Sequence, residues 1–156
     1  MSHGRWMVAG VVAGMVLGCS GETDPFDQLV VDLSIEPATV VPGEEVTATL
    51  LVQNPTTRPV AVPHSGCAAT IEVRHAEDRT LQYWKGGAGS TGCLLGEGYV
   101  HIETGHTFTE TFDLTALARD DETWEYVVPP PPGAYVLRVR MGMPLPDIER
   151  SLIVRE

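Results

Sequence analysis

The residues able to do chemistry in this 156-residue chain are few and scattered. Three cysteines, Cys19, Cys67 and Cys93, could bridge, hold a metal or carry a covalent group. In an oxidising compartment Cys67 and Cys93 are expected to pair. The bond closes a loop of 27 residues counting both ends, is worth about 3–4 kcal/mol in the chain-entropy model, and pins the glycine-rich stretch 86–92 to the turn at Ser65-Gly66. The competing reading, two thiols on a metal, lacks any C-x-x-C unit. His64, His75, His101 and His106 with Met141 and Met143 have the donor chemistry of a copper site. His101 and His106 straddle a glycine turn, however, and Met143 sits in a Gly-Met-Pro break, so no metal or other cofactor is expected. Ser90, in Ala88-Gly89-Ser90-Thr91-Gly92, misses the first glycine of a nucleophile elbow and its strand-turn-helix setting. The same stretch lacks the Gly-Lys-Ser/Thr ending of a phosphate loop. Glu44-Glu45 and Asp120-Asp121 are acid pairs on turns, which read as solvated surface. No catalytic residue is assigned, and the chain reads as non-enzymatic. Trp84 and Trp124 remain. Either they pack in the core at the ends of the fold, or, with Lys85 and Ser90 of the adjoining loop, they form a candidate interaction platform for a protein or glycan partner.

The N-terminus must be set aside before the fold is read. Residues 1–6 carry Arg5 and no acid, and residues 7–17 are an unbroken run of apolar residues and glycine. Eleven residues at about 1.5 Å each fall short of a hydrocarbon core about 30 Å thick, so the run is a removable signal core, not a membrane span. Val16-Leu17-Gly18-Cys19 resembles the lipobox of bacterial lipoproteins. That resemblance implies that residues 1–18 are a signal peptide cleaved before Cys19, whose thiol takes diacylglycerol and whose new amino group is acylated. Each buried methylene contributes about 0.8 kcal/mol, so three chains anchor where one would bind marginally. Ser20 follows the cysteine where aspartate often marks inner-membrane retention, which points to the outer membrane, facing the periplasm or the cell surface.

Ten basic residues less Arg5 leave nine against twenty-one acids in the mature chain, a formal charge of −12. No basic stripe is available to displace counterions from phosphates, so nucleic acid is not an expected partner. Charge-driven adhesion to anionic lipid is equally disfavoured.

The remaining chain is written in strands. Residues 20–28 are polar, with Gly21 and Pro25, and read as a tether (19–28 with the anchor). The domain is then expected over 29–156. Within 46–53, Val46, Ala48, Leu50 and Val52 fall on one face and Thr47, Thr49, Leu51 and Gln53 on the other, the period of a half-buried strand. Asn54-Pro55 stops it, because proline has no N–H for a ladder and asparagine can bond its own backbone two residues on. Further strands are expected over 29–36, 60–62, 69–74, 80–84, 99–103, 108–114, 134–140 and 151–155, with turns at 40–45, 63–67, 76–79 and 104–106. Glu110 interrupts the apolar face of 108–114. Residues 113–126 are read as a short helical turn near 114–117 or an irregular crossover anchored in the core by Trp124. Residues 129–132 are four prolines, a stiff lead into a strand. Short strands at about 8–12-residue spacing without a long helix indicate an all-β, two-sheet antiparallel sandwich of about 7–9 strands.

The motifs Leu50-x-x-x-Asn54-x-Thr56-x-Arg58-x-Val60 and Pro132-Gly133-Ala134-Tyr135, with the Pro42-Gly43-Glu44 turn, resemble the bacterial intracellular proteinase inhibitor (BsuPI-type) family over residues 29–141. The resemblance implies an immunoglobulin-like β-sandwich and an inhibitory role. It carries over no functional residue, because this chain has no recognisable inhibitory loop, adds a cysteine pair and bears an export signal. The expected function is therefore a membrane-anchored protein-interaction module whose partner is a protein, a protease in the specific version; the alternative is a structural or accessory envelope lipoprotein.

Overall fold

The computed structural model describes residues 24–65, 69–87, 97–141 and 145–156, with the side chains of 63–65, 69, 97–99 and 141 left out. The expected signal peptide 1–18, Cys19, the Cys67–Cys93 pair, Ser90 and Met143 lie outside the described residues.

Among the described residues twelve strands run in chain order: β1 Val30–Glu36, β2 Thr39–Val40, β3 Glu45–Gln53, β4 Val60–Ser65, β5 Ala69–His75, β6 Leu81–Gln82, β7 Trp84–Lys85, β8 Glu97–Ile102, β9 Thr107–Arg119, β10 Tyr126–Val128, β11 Gly133–Met141 and β12 Ile148–Val154. Four of them are only two or three residues long, and the other eight run from six to thirteen residues. One sheet runs β1-β3-β9, with β7 and β10 on opposite edges of β9: Thr115 pairs with Glu45 and Lys85, and Ala118 with Trp84 and Val128. The second runs β2-β12-β11-β5-β6, and β4 and β8 form a separate two-stranded antiparallel sheet that is not a hairpin, since β5, β6 and β7 lie between them in sequence. Setting aside β2, β4, β6, β8 and β10, the first, second, fifth and fourth strands share one sheet and the third, sixth and seventh the other. That is the seven-strand immunoglobulin arrangement.

The core lies between the sheets. Val46, Ala48, Leu50 and Val52 of β3 are buried, and Thr47, Thr49 and Leu51 are half-buried, as period two requires. Opposite stand Ile71 and Val73 of β5, Tyr135, Leu137 and Val139 of β11, and Leu152 and Val154 of β12. The Tyr135 hydroxyl donates to the carbonyl of Pro131 at 2.8 Å, the tyrosine corner of this fold class. In antibody domains the residue two places on is a bridging cysteine; here it is fully buried Leu137, so the sheets are joined by packing at that level.

Asn54 closes the end of β3. Its side chain is buried, donates to Ile102 O at 2.7 Å and Arg58 O at 2.9 Å, and accepts from the Thr56 N–H at 3.0 Å and hydroxyl at 2.6 Å. Its backbone N–H bonds His106 O and its carbonyl receives Gly105 N–H. The expected asparagine turn is present, and it also ties β3 to the β8–β9 turn.

Four expectations change. Residues 114–119 are neither helical nor a crossover: β9 continues to Arg119 because Leu114, Ala116 and Ala118 keep period two and bury against the opposite sheet. Glu110 is accommodated half-buried near the sandwich end. Residues 80–84 are not one strand; Leu81–Gln82 pairs with β5 in one sheet and Trp84–Lys85 with β9 in the other, so the chain changes sheets at Tyr83. Directly after, Gly86 has φ +86°, and a Cβ there would stand 2.0 Å from the Asp113 carbonyl oxygen, so only glycine lets the segment lie this close to β9. Strand β4 runs on to Ser65. Finally, Pro25–Gln28 is a 3₁₀ turn capped by the Asp24 carboxylate, with Phe26 packed on the core, so the packed domain begins before residue 29.

Candidate functional site

The two tryptophans have opposite fates. Trp84 is fully buried, its ring 5.5 Å centroid to centroid from Tyr135. It is a core residue, and its indole N–H has no hydrogen-bond partner among the described residues. Trp124 is 68% exposed. The expectation of core packing therefore holds for Trp84 and fails for Trp124, because the turn between β9 and β10 lies outside the sandwich. Lys85 is exposed on β7, beside Trp84 in sequence but on the solvent side. Trp84 and Trp124 thus do not form a common platform.

The 120–125 turn is built to present Trp124. One Asp120 carboxylate oxygen accepts the N–H groups of Glu122 (2.9 Å) and Thr123 (2.7 Å) and the Thr123 hydroxyl (3.1 Å). The Asp120 carbonyl accepts Trp124 N–H and the Asp120 N–H reaches Glu125 O. Donation by Thr123 first, and by Glu122, holds the Asp120 carboxyl below its ordinary pKa. Within this frame Trp124 takes φ +62°, a left-handed conformation that a bulky side chain rarely adopts.

Beneath Trp124 lies Arg119. Its guanidinium carbon sits 4.4 Å from the Trp124 ring centroid and 4.1 Å from that of Tyr83, so the cation is stacked between two aromatic faces. Arg119 N–H bonds Tyr83 O, and Tyr126 is its cross-strand partner on β10. Arg119 Nε and the Tyr126 hydroxyl are both buried without a partner among the described residues. Val127 and Val128 follow, both exposed, with a register shift in the ladder between Tyr126 and Val128. Sequence reasoning missed Tyr83 and Arg119. Alternation alone turns them outward, since Trp84 and Ala118 face in, but they meet only once β7 is known to pair with β9.

A second polar constellation covers the outer face of the β12-β11-β5 sheet. Glu72 is buried there, held by Arg74 at 2.8 Å and Arg140 at 3.2 Å. Burial pushes its carboxyl up, but the hydrogen bonds and charges of the two arginines outweigh this and keep it below its ordinary value. Arg138 pairs with Asp147, and Arg79 with Glu149. These charges are mutually paired.

Around the β8–β9 turn, Val100, His101, Ile102, Glu103 and His106 line a shallow cleft of about 160 Å³, below the usual size of a small-molecule pocket. Among the described residues no group of three His, Cys, Asp or Glu side chains could hold a metal ion. Nor is any helix there long and apolar enough to cross a membrane.

No family model matches the sequence, and no curated protein matches it. Among solved structures, a β-glucosidase from Erythrobacter marinus aligns at a TM-score of 0.51 and 14% identity, over 81% of this chain and 15% of that one. A β-glucosidase from Listeria innocua aligns at 0.47 and 14% identity, over 82% of this chain and 16% of its own. An alkylpurine DNA glycosylase from Pseudomonas fluorescens aligns at 0.47 and 14%, over 83% and 31% respectively. The chain thus spans under a third of the length of each. The first of these supports a shared sandwich fold.

Proposed function

We propose that this chain is a non-enzymatic, lipid-anchored envelope protein whose sandwich is a protein-interaction module presenting the β9–β10 turn. The observation that carries the reading is Trp124. A large apolar ring stands 68% exposed on a backbone at φ +62°, where glycine or asparagine would be relaxed. Strain and apolar exposure coincide at one residue, and such outliers cluster where proteins bind. The Asp120 bonds and the Arg119 stack fix the ring beforehand, which lowers the ordering loss on association. The anchor rests on the lipobox-like Val16-Leu17-Gly18-Cys19 and the apolar run before it.

Intact-mass spectrometry of membrane-extracted protein tests the anchor. Loss of residues 1–18, added acyl chains and a two-dalton gain on reduction are expected; a soluble, unacylated, fully reduced species overturns both the anchor and the Cys67–Cys93 bridge. The proteinase-inhibitor version rests on the family resemblance, and assays with serine proteases that show no slowing at micromolar protein remove it. The alternative, a structural envelope component, is favoured if Trp124→Ala leaves every crosslinked neighbour on intact cells unchanged.

A further inference from the structure

Resting on the reading as an interaction module, we infer that the strip from Trp124 to Val128 docks a partner protein whose contact surface is apolar at its centre and positively charged at its rim. Of the six large apolar side chains exposed among the described residues, Trp124, Val127 and Val128 fall within five positions of one another. An aromatic anchor flanked by aliphatic side chains is the composition of an interface centre, and aliphatic side chains give a sugar's hydroxyls nothing to bond.

The sequence along this strip is acidic. Asp120, Asp121, Glu122 and Glu125 surround Trp124, and from Asp120 to Leu137 the sequence holds no Lys, Arg or His. The nearest cation, Arg119, is covered by the Tyr83 and Trp124 rings and its Nε is buried, and exposed Lys85 lies on β7, across β9 from β10. Arg74, Arg79, Arg138 and Arg140 on the side of the opposite sheet are tied into pairs with Glu72, Asp147 and Glu149, and Arg150 of β12 with Asp32. The strip therefore lies in a negative field within a chain of formal charge −11. A second copy would bring acid against acid, and an anionic polymer would be repelled. A partner with a basic rim is both steered in and selected.

In-cell photocrosslinking of the full chain tests this, with p-benzoylphenylalanine in place of Val127 and, separately, of Ile153, an exposed residue on the outer face of the other sheet. The expected result is an adduct from the Val127 position whose crosslinked partner peptide is net basic. Its yield should fall about tenfold or more with Trp124→Ala, and likewise with Glu122→Lys and Glu125→Lys combined. An adduct from Ile153 alone keeps the interaction module and overturns the strip. No adduct from either position overturns both. At Val127, an adduct with a net-acidic peptide, a second copy or a glycan overturns the inference, as does a yield indifferent to the Trp124 and charge substitutions.

Discussion

Removing the Asn54 side chain is expected to be the most destabilising single polar change in the domain. Its amide makes one bond in a buried setting, to Ile102 O, and three in part-buried ones, to Arg58 O and to both Thr56 groups. In Asn54→Ala the Ile102 carbonyl loses its donor away from water, a penalty of about 1–3 kcal/mol, while the part-buried groups recover solvent and lose about 0.5–1 kcal/mol each. The total is about 2.5–6 kcal/mol, a large share of the roughly 5–15 kcal/mol that holds a domain folded. With a urea slope of about 1.5 kcal/mol/M, the midpoint should fall by about 1.7–4 M. Thr56→Val removes only the hydroxyl and should cost about 1 kcal/mol. The two substitutions should be less than additive, since the bond between Thr56 and Asn54 is lost once in either. Buried Trp84 reports unfolding by fluorescence. An Asn54→Ala midpoint within about 0.3 M of the parent would refute the view that this side chain ties β3 to the β8–β9 turn.

Three further outcomes are expected. Trp124→Gly should be more stable than Trp124→Ala by about 1 kcal/mol, because glycine relaxes φ +62° and alanine does not; equal urea midpoints would show that the left-handed backbone is not strained. Tyr135→Phe leaves the Pro131 carbonyl without its donor and should lower the thermal midpoint by about 3–5 °C, read by calorimetry, with no shift meaning that water replaces the bond. The folded pKa of Glu72 lies below its unfolded one, so its ionised form stabilises the fold above the ordinary carboxylate range, and that contribution disappears as pH falls through the depressed value. Urea midpoints of the parent and Glu72→Gln should therefore converge as the pH is lowered, and a gap that widens in acid would reverse the sign of the argument.

The regions of this fold visible in the sequence are those where burial has one periodic face. Strand β3 could be read because Val46, Ala48, Leu50 and Val52 share one face with Thr47, Thr49, Leu51 and Gln53 on the other, and the Asn54-Pro55 stop because its chemistry is local. The second half of β9 was hidden by composition. Leu114-Thr115-Ala116-Leu117-Ala118 suits a helix, Leu117 puts an apolar residue on the outer face, and only pairing with β7 and β10 makes it a strand. The sheet change at Tyr83 left no mark, since 80–84 reads as one alternating run. The site was legible only as a pair of tryptophans. What separates them is a positive φ fixed by the Asp120 bonds, and the Arg119 stack joins residues 36 positions apart in sequence. Neither follows from spacing.

The parallel pairing of β2 with β12 gives the sandwich a mechanical property. The Ile153 N–H bonds Ala38 O at 3.0 Å and Arg155 N–H bonds Val40 O at 2.8 Å, so a strand near the start of the domain is stitched alongside the last one, pointing the same way. Tension that drew the two ends of the domain apart would load these bonds along the strands. Lengthwise shear makes them bear force together, whereas an antiparallel pair pulled from its open end would unzip bond by bond. With the N-terminal lipid anchor proposed above, that seam would resist traction on the domain.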